Sequence, residues 1–384
     1  MKKVLTILLT LAMVFSMAGV VSAETTDVTY QVAEGYEASL PVSGVTLVST
    51  EEGYDSVSEN YVGVITAQIA EDKVLSICVD SANDFNVVAT SGNTVSKVPY
   101  KAGIPDETGV YSDISNGAEV LRIGIGDAYT TSMKFYTTTQ WTKQAKISTE
   151  HSDTLTFTYE FIDENTAVTN DVASIDSTLA EGNNVILTGD VNFDVSATTA
   201  NSGYGATGVS VKGGVFDGNG NTLTVSGNVW DTWDCAVHTT GGTIKNLVID
   251  SAMRGIFMGS ATADVYITNV IIDGPVYCFN SDGGNKNYGV YITDSTLNGW
   301  TSFSDVHKEV VFTNCKFGEG SGYAFCRPYN ACEFINCNFE AGFEIDLRNT
   351  GTFKDCYLDG VLINSENIGT LVTSNVNQAV VDNS

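Results

Sequence analysis

The sequence predicts an all-β protein: a β-sandwich first, and after it a parallel β-helix with a short capping helix at its N-terminal end. Three observations support this prediction. Polar and apolar residues alternate through the first half of the 384-residue chain, a related six-residue segment recurs through the second half, and one short stretch between them has helical spacing. The length suits two domains of ordinary size.

The chain opens with the features of a secretory signal peptide, which we place at residues 1–23. Lys2 and Lys3 form a basic start, a mostly apolar run follows, and Val21-Ser22-Ala23 fits a small-residue cleavage site. The apolar run is too short for a good membrane span. We therefore expect a protein that is secreted, extracellular or associated with the cell surface, without membrane insertion.

The charge balance is strongly acidic. The formal net charge is −28, from 18 basic and 46 acidic side chains, and loss of the signal peptide would make it more negative. Such a surface repels nucleic acid, anionic lipid headgroups and polyanionic sugars unless cations bridge them. We therefore expect no nucleic-acid partner. An acidic surface also serves solubility alone.

Residues 24–165 form the predicted β-sandwich. Alternating segments such as 61–69 and 153–161 are separated by Gly, Asn and Asp turns, and no helical period of useful length occurs among them. With Tyr30-Gln31-Val32 near its start and Ser152 to Phe157 near its end, this half resembles a sandwich module of secreted Gram-positive surface proteins. The resemblance indicates location better than it indicates a ligand.

Two residues of this half are of types that often bind ligands. Trp141 offers a large ring for stacking, and His151 offers a polar ring in a predicted loop. A core tryptophan and a loop histidine are the plainer interpretation, and the sequence leaves both interpretations open.

A short amphipathic helix is predicted at the junction. Its two faces carry three residues each, Val172, Ile175 and Leu179 inside and Asp171, Asp176 and Glu181 outside. The helix should end near Gly182, and a strand at 184–191 should follow. The open end of a β-helix exposes apolar core and unpaired strand edges, so this helix is expected to cap residues 170–384.

Residues 170–384 contain the repeat that predicts the β-helix. Six segments align: Lys245–Asp250, Thr268–Asp273, Thr293–Asn298, Thr313–Gly318, Ile335–Glu340 and Lys354–Asp359. The second position is always Asn or Asp, and the third and fifth are mostly apolar. A period of about 20 residues with alternating hydrophobicity is typical of a solenoid of short strands, in which like residues stack on one another.

The Asn column predicts how each coil turns. Asn tolerates the left-handed backbone of a sharp bend, and its amide can donate to one neighbouring coil while accepting from the other. Asp294 and Asp355 break the pattern, because an ionised carboxylate cannot donate. Their coils are expected to be weaker or partly exposed.

The segment from Gly214 to Leu223 contains an Asp-Gly-Asn-Gly turn that opens the repeat. The helix, this turn and the Asn column come in the order typical of the pectin-lyase-like superfamily of right-handed parallel β-helices, which the chain resembles over residues 170–384. The resemblance implies the fold. It does not imply one function, because the superfamily includes lyases, hydrolases, epimerases, phage tailspikes and adhesins.

An aromatic strip is predicted on the strand that precedes the long turn at 280–287. The outward face of that strand and its stacked neighbours carries five candidate binding residues, Phe257, Tyr277, Trp300, Glu344 and Asp346, and a sixth candidate, Arg348, lies just after the strand. Rings that stack on the C–H face of a sugar, beside polar groups that take its hydroxyls, are how proteins bind carbohydrate. Aromatic residues also favour strands, and they could instead pack beneath the turns.

Two enzyme chemistries can be assembled only in part. A polysaccharide lyase needs a base beside acids that hold Ca²⁺, and Arg327 with Asp282 and Asp305 is the set available. A glycoside hydrolase needs paired carboxylates. The segment Asn280-Ser281-Asp282-Gly283 resembles the Asn-Thr-Asp-Gly of polygalacturonases, but the other motifs of that family are missing.

The eight cysteines do not suggest one disulfide framework. Cys315, Cys337 and Cys356 share one column of the repeat, which predicts buried free thiols. Cys326 and Cys332 are close enough in sequence to form a disulfide.

We therefore expect a non-catalytic, adhesin-like β-helix protein that binds carbohydrate or a host glycan and needs no cofactor. The alternatives are a divergent polysaccharide lyase or glycoside hydrolase, with Ca²⁺ as its cofactor, and a structural spacer. The short segment 378–384 would give only a thin cap, which allows self-association through the C-terminal end of the β-helix.

Overall fold

The structure, a computed structural model, is nearly all β, with 57% of residues in strands and 8% helical, which confirms the predicted fold class. The described ranges are 35–39, 45–124, 129–147, 150–198, 208–227, 233–251, 253–273, 276–281, 285–303, 307–318, 332–340, 343–347, 351–358, 361–365, 371–374 and 380–382. The predicted signal peptide lies outside them. No helix in these ranges combines the length and the apolar character that crossing a membrane requires.

The first part of the chain consists of short strands that are mainly antiparallel. They are β1 (Gly35–Ser39), β2 (Val48–Ser49), β3 (Asn60–Gln68), β4 (Lys73–Ser81), β5 (Asn86–Ser91), β6 (Thr94–Pro99), β7 (Lys101–Pro105), β8 (Tyr111–Asp113), β9 (Glu119–Ile123), β10 (Tyr129–Thr137) and β11 (Leu155–Asp163). A 3₁₀ helix at Gly53–Ser56 and helix α1 (Thr139–Thr142) lie between them.

These strands form two facing sheets and a hairpin. One sheet has the order β1-β3-β10-β7-β8 with β2 beside β10, the other has the order β11-β4-β9, and β5 pairs with β6. Residues from both larger sheets share one buried core, including Val62, Leu75, Ile77 and Met133. This is the predicted sandwich arrangement, and the segments predicted as strands correspond to β3, β4 and β11.

Helix α2 (Val172–Ala180) stands at the junction, as predicted. Asp171 is its N-cap, and its carboxylate accepts a hydrogen bond from the backbone N–H of Ser174 at 2.9 Å. Gly182 follows the helix with a φ of 83°, the left-handed conformation that commonly ends helices. These local interactions fix both ends of the cap.

The prediction for Asp176 was wrong. It was expected on the outer face of α2, but it is only 5% exposed. Its carboxylate accepts a hydrogen bond from the backbone N–H of Ser210 at 3.1 Å. A buried peptide N–H needs a partner, and Asp176 supplies it. The helix face that packs on the solenoid is therefore wider than its apolar stripe.

The second part of the chain is a parallel β-solenoid built from short strands that stack on equivalent strands of neighbouring coils. The strands are β12 (Thr166–Thr169), β13 (Asn184–Leu187), β14 (Val191–Asp194), β15 (Val209–Asp217), β16 (Thr222–Ser226), β17 (Val237–Ser251), β18 (Arg254–Met258), β19 (Val265–Asp273), β20 (Tyr277–Ser281), β21 (Val290–Thr293), β22 (Thr296–Asn298), β23 (Trp300–Phe303), β24 (Val310–Thr313), β25 (Lys316–Gly318), β26 (Cys332–Ile335), β27 (Asn338–Phe339), β28 (Glu344–Leu347), β29 (Gly351–Lys354), β30 (Leu362–Ser365), β31 (Leu371–Ser374) and β32 (Val380–Asp382). Strand β12 lies between the two predicted domains, so the solenoid begins directly after the turn that follows β11.

Each coil contributes strands to three faces. Face 1 precedes the Asn or Asp turn and stacks the start of β19 on β21, β24, β26 and β29. Face 2 follows that turn and stacks the end of β19 on β22, β25 and β27. Face 3 stacks β18, β20 and β23. The long strand β17 runs through all three faces.

The Asn column turns the chain between faces 1 and 2. Its residues all have left-handed backbone, with φ between 51° and 56°: Asn246, Asn269, Asp294, Asn314, Asn336 and Asp355. Asn269 Nδ2 donates to Asn246 Oδ1 at 2.9 Å. Asn336 Nδ2 donates to Asn314 Oδ1 at 2.8 Å. The predicted link between coils through side-chain amides is confirmed at these positions.

The interior consists of like residues stacked coil on coil, as predicted. One column is Ile244, Ile267, Ile292, Phe312, Phe334 and Phe353, and another is Ile249, Ile272, Leu297, Phe317, Phe339 and Leu358. A third ends in Cys315, Cys337 and Cys356, which are buried free thiols. Cys326 lies outside the described residues, so its disulfide with Cys332 stays a prediction.

Candidate functional site

The predicted aromatic strip lies on face 3, but its register differs from the prediction. Tyr277 on β20 pairs with Trp300 on β23, and Arg254 occupies the equivalent position on β18. Phe257 pairs instead with Asn280, because β18 begins at Arg254. The three aromatic residues therefore do not form one column.

Phe257, predicted to be an outward sugar-binding residue, is fully buried. Its neighbours Ile256 and Met258 belong to the solenoid core, whereas Phe257 belongs to a separate small cluster. Trp233 and His238 pack against it, with ring centroids 5.3 and 5.8 Å away. The expected exposure was therefore wrong, because a connection between β16 and β17 places Trp233 over this ring.

A buried arginine lies beside the remaining aromatic pair. Arg254 is 5% exposed, and its guanidinium lies 5.0 Å from the ring centroid of Trp233 and 5.5 Å from that of Tyr277. Its Nε donates to Asn280 Oδ1 at 3.1 Å. Tyr277 and Trp300 meet edge to face with centroids 5.2 Å apart, and both are half-buried. Cation–π attraction and ring packing thus hold Tyr277 from both flanking coils.

Four predicted residues lie outside the described part of the chain: Asp282, Asp305, Arg327 and Arg348. Glu344 and Asp346 belong to β28, a strand of which the backbone is described. That strand lies in a sheet with β30 and β32, separate from the sheet that contains Tyr277 and Trp300. The described strand pairing therefore does not bring Glu344 and Asp346 to the aromatic pair.

Face 1 carries an aromatic pair that the sequence analysis missed. Tyr266 and Tyr291 are in register on adjacent coils, with ring centroids 5.1 Å apart and an angle of 14° between the rings. Tyr266 is 44% exposed. The residue in register with it on the preceding coil is Thr243, whose side chain is too small to cover a phenol ring. One face of the stacked pair is therefore open.

Acidic side chains hold these two rings in place. The hydroxyl of Tyr291 donates to Glu309 Oε1 at 2.5 Å, and that of Tyr266 donates to Asp264 Oδ2 at 3.4 Å. The Glu309 carboxylate raises the pKa of Tyr291 well above its ordinary value, because ionising the phenol would remove this hydrogen bond. Asp264 also accepts from the backbone N–H of Gly289 at 2.7 Å. Hydrogen bonds thus hold both rings in place in the free protein, and Tyr291 stays neutral.

A sequence signal for this pair exists. Val-Tyr-Ile-Thr occurs identically at 265–268 and at 290–293, in the same position relative to the Asn/Asp column. Identical residues at equivalent positions of adjacent coils must stack in register. The alternation places both tyrosines outside, because Ile267 and Ile292 are inside. The repeated tetrapeptide therefore predicts a stacked and outward tyrosine pair.

Two buried histidines lie near face 3 and are packed rather than open. His238 and His307 are 0% and 1% exposed, and burial lowers the pKa of each imidazole to about 4. His307 Nε2 lies 2.9 Å from Ser281 Oγ. Among the residues that the structure describes, no group of three or more His, Cys, Asp and Glu side chains could hold a metal ion.

No family model, no curated protein and no solved structure matches this chain. Its function therefore has to be inferred from its own surfaces. Two pairs of packed aromatic rings on the described solenoid are at least partly exposed, Tyr266–Tyr291 and Tyr277–Trp300. Both arrangements are suited to stacking on a ligand.

Proposed function

We propose that this chain is a secreted or cell-surface-associated β-helix protein that binds carbohydrate or a host glycan without cleaving it, as an adhesin does. The observation that supports this most strongly is the stacked Tyr266–Tyr291 pair, with Tyr266 44% exposed on an outward face. Sugar C–H groups can pack on such rings, and polar groups beside the rings can bind the sugar hydroxyls. Rings that are fixed before binding lose little conformational freedom when a ligand arrives.

The charges around this pair favour an uncharged or weakly charged glycan. Asp264 and Glu309 flank the rings, and the whole chain has a formal charge of −28. A polyuronate would be repelled at close range, whereas the hydroxyls of a neutral sugar can donate to the free lone pairs of both carboxylates. The expected ligand is therefore a neutral polysaccharide or a neutral part of a host glycan.

The Tyr277–Trp300 pair is a second part of this proposal. Its rings are half-buried and perpendicular to each other, so they do not form one continuous flat surface for a ligand. Arg254 beside them is buried and already packed against two rings, so its contribution is to position Tyr277. We expect this pair to add contacts for the same class of ligand.

We also propose that the solenoid belongs to the pectin-lyase-like superfamily. The helical cap, the left-handed Asn column and the stacked interior support membership of the pectin-lyase-like superfamily. Within that superfamily, the alternative functions are a divergent polysaccharide lyase or glycoside hydrolase and a structural spacer. A lyase would use Arg327, Asp282 and Asp305 with Ca²⁺.

Binding can be tested by isothermal titration calorimetry of the full-length mature chain with each member of a panel of neutral and acidic polysaccharides. We expect saturable binding of at least one neutral glycan. Replacing both tyrosines, Y266A/Y291A, should weaken it at least about tenfold, which corresponds to about 1.4 kcal/mol. Tyr266→Phe should weaken it less, because the ring remains.

Tyr357→Ala is the matched control for that experiment. Tyr357 is 46% exposed, similar to Tyr266, but it lies on face 2 and away from the pair. The proposal requires that Y357A binds as the wild type does. The proposal is contradicted if Y357A and Y266A/Y291A lose glycan affinity to the same extent. It is also contradicted if the wild type binds no glycan of the panel.

The two alternatives differ in what they predict. A lyase or hydrolase would release unsaturated products or new reducing ends, and Arg327→Ala or Asp282→Asn would abolish the release. A spacer would neither bind nor cleave. Y277A/W300A separates the contributions of the two aromatic pairs, because it leaves face 1 unchanged.

A further inference from the structure

The outward side of the sheet β1-β3-β10-β7-β8 carries a row of aromatic rings. The row runs from Trp141 through Tyr136 and Tyr54 to Tyr111. Neighbouring ring centroids are 6.4, 4.9 and 5.6 Å apart along it. Tyr61, which is 54% exposed, lies on the same side of the sheet. We call these five residues the tyrosine face.

The backbone pattern explains why these rings are outside. Met133 and Phe135 of β10 point into the sandwich core, so Tyr136 points away from it. Tyr54 comes from the 3₁₀ helix and lies flat on Gly103 of β7, where an added Cβ would come within 2.5 Å of the tyrosine Cζ. The absence of a side chain at Gly103 thus leaves the space that the Tyr54 ring occupies.

Two carboxylates of the tyrosine face, those of Asp113 and Glu59, have partners on the face. Asp113 accepts from the Tyr54 hydroxyl at 2.7 Å and forms an ion pair with Lys101. Glu59 accepts from the hydroxyls of Tyr61 and Tyr111, at 2.5 and 3.3 Å. These contacts fix three of the rings, and the Lys101 ammonium balances the charge of the ionised Asp113 carboxylate.

One further cation completes the face. The Lys134 ammonium lies 4.3 Å from the centroid of the Tyr111 ring. It also lies close enough to Glu59 to favour the ionised carboxylate, so the pKa of Glu59 is lowered by its tyrosine hydrogen bonds and by this charge. The face therefore offers rings and hydroxyls, and Glu59 and Asp113 each lie next to a lysine.

We propose that the tyrosine face is a second carbohydrate-binding site, which takes the uncharged hexopyranose units of a neutral polysaccharide. The rings of Tyr136 and Trp141 are nearly parallel, at 21°, and such rings can stack on the C–H face of a sugar. The paired ions give the sugar hydroxyls both donors and acceptors. Exposed Glu51, Glu52 and Asp55 flank Tyr54 in sequence, so a polyanionic ligand would be repelled at this face. The inference does not rest on the solenoid site.

The test measures binding of laminarin, galactomannan and xyloglucan to the full mature chain by titration calorimetry, in the wild type and in the Y266A/Y291A background. The expected result is saturable binding of at least one of them that persists in that background. Y54A/Y136A and W141A should each weaken this binding at least about tenfold. Polygalacturonate should bind more weakly than the neutral glycans.

Two variants separate a loss of binding from a loss of folding. Gly103→Ala keeps all rings but displaces Tyr54 from the space it occupies, so it should weaken binding while the far-ultraviolet spectrum is unchanged. Tyr129→Ala is the matched control, because Tyr129 is 59% exposed on β10 but on the opposite side of the sheet from Tyr136. It should bind as the wild type does.

The proposal is overturned if none of the neutral polysaccharides binds in the Y266A/Y291A background. It is also overturned if folded W141A and folded Gly103→Ala both bind as tightly as the control Tyr129→Ala. Loss of all binding in Y266A/Y291A alone would support the solenoid site and contradict this one, so the two proposals fail in different ways.

Discussion

Asp294 interrupts a line of amide hydrogen bonds that joins the coils of the solenoid. Asn314 Nδ2 donates to Asp294 Oδ1 at 2.9 Å, and Asn269 Nδ2 donates to Asn246 at 2.9 Å. An ionised Asp294 has no proton to donate to Asn269, so the line breaks between these two coils. The side chain has the left-handed backbone of its neighbours, with φ 51°, and only its chemistry differs.

Asp294→Asn should therefore stabilise the protein. The new Nδ2 would donate to Asn269 Oδ1, as its neighbours donate to theirs, and a hydrogen bond of this type contributes about 0.5–1.5 kcal/mol. Urea unfolding measures the change in the free energy of unfolding. Asn314→Asp is the converse variant: it places two carboxylates face to face and should destabilise the protein. A lower stability in Asp294→Asn would contradict the account of this column.

His307 gives the molecule a stability that depends on pH. Burial lowers its folded pKa to about 4, whereas an unfolded histidine titrates near its ordinary value of 6.5. Between these values the unfolded chain binds more protons than the folded chain, so stability falls as the pH falls from about 6.5 to about 4. The loss is on the order of 3 kcal/mol for one such histidine.

His307→Gln should flatten this dependence, whatever its effect at neutral pH. The measurement is the free energy of unfolding at several values between pH 4.5 and 7 for both proteins. Some slope should remain, because burial also lowers the pKa of His238 to about 4. An identical slope in both proteins would mean that His307 is not buried in its neutral form.

At the scale of one element, the phenylalanine columns hold the later coils together. Phe334 stacks between Phe312 and Phe353 with ring centroids 5.0 and 4.7 Å apart, and all three are fully buried. Phe334 therefore packs against the same residue type on the coil before and the coil after it. This regularity leaves no other group to fill the space of a missing ring.

Phe334→Ala should cost about 3–5 kcal/mol, the usual effect of removing a buried ring from a core that cannot collapse. Glu333→Ala, one residue earlier and pointing outward on the same strand, should change the stability by less than about 0.5 kcal/mol. Chemical denaturation of both variants gives the comparison. Similar values for the two would mean that β26 is not stacked in the core.

Sequence periodicity was sufficient to predict the strands of the solenoid and which of their residues point inward. The Asn column, the two apolar columns and the thiol column were all readable, because a coil repeat forces like residues to stack. Periodicity gave the wrong exposure for Phe257 and Asp176, because segments distant in sequence bury them. Trp233 packs on the Phe257 ring, and the backbone N–H of Ser210 donates to the Asp176 carboxylate. Alternation tells inside from outside, but it does not tell what covers the outside.

At the scale of the whole molecule, the sandwich and the solenoid are in direct contact. Arg122 donates to the carbonyl oxygens of Thr166 and Glu164, at 2.6 and 3.3 Å. Gly117 approaches the carbonyl of Thr188 so closely that an added Cβ would overlap it. These contacts should make the two parts unfold together.

Gly117→Ala should weaken that coupling. Its new Cβ would push the sandwich away from the first coil, and its φ of 77° would also strain an alanine. Gly92→Ala carries the same kind of strain, with φ 56°, but meets no atom within 4 Å. Calorimetry should show one transition in the wild type and in Gly92→Ala, and a broadened or split transition in Gly117→Ala. One sharp transition in Gly117→Ala would contradict the contact.

The central claim is that this chain binds glycan and does not cleave it. The most direct test incubates the mature protein with neutral and acidic polysaccharides, with and without Ca²⁺, and measures bound protein, unsaturated products and reducing ends in the same samples. The account predicts saturable retention on a neutral polysaccharide, reduced in Y266A/Y291A, with no product above the blank. Product that accumulates with time and with protein concentration, and that does not form with Arg327→Ala, would contradict it.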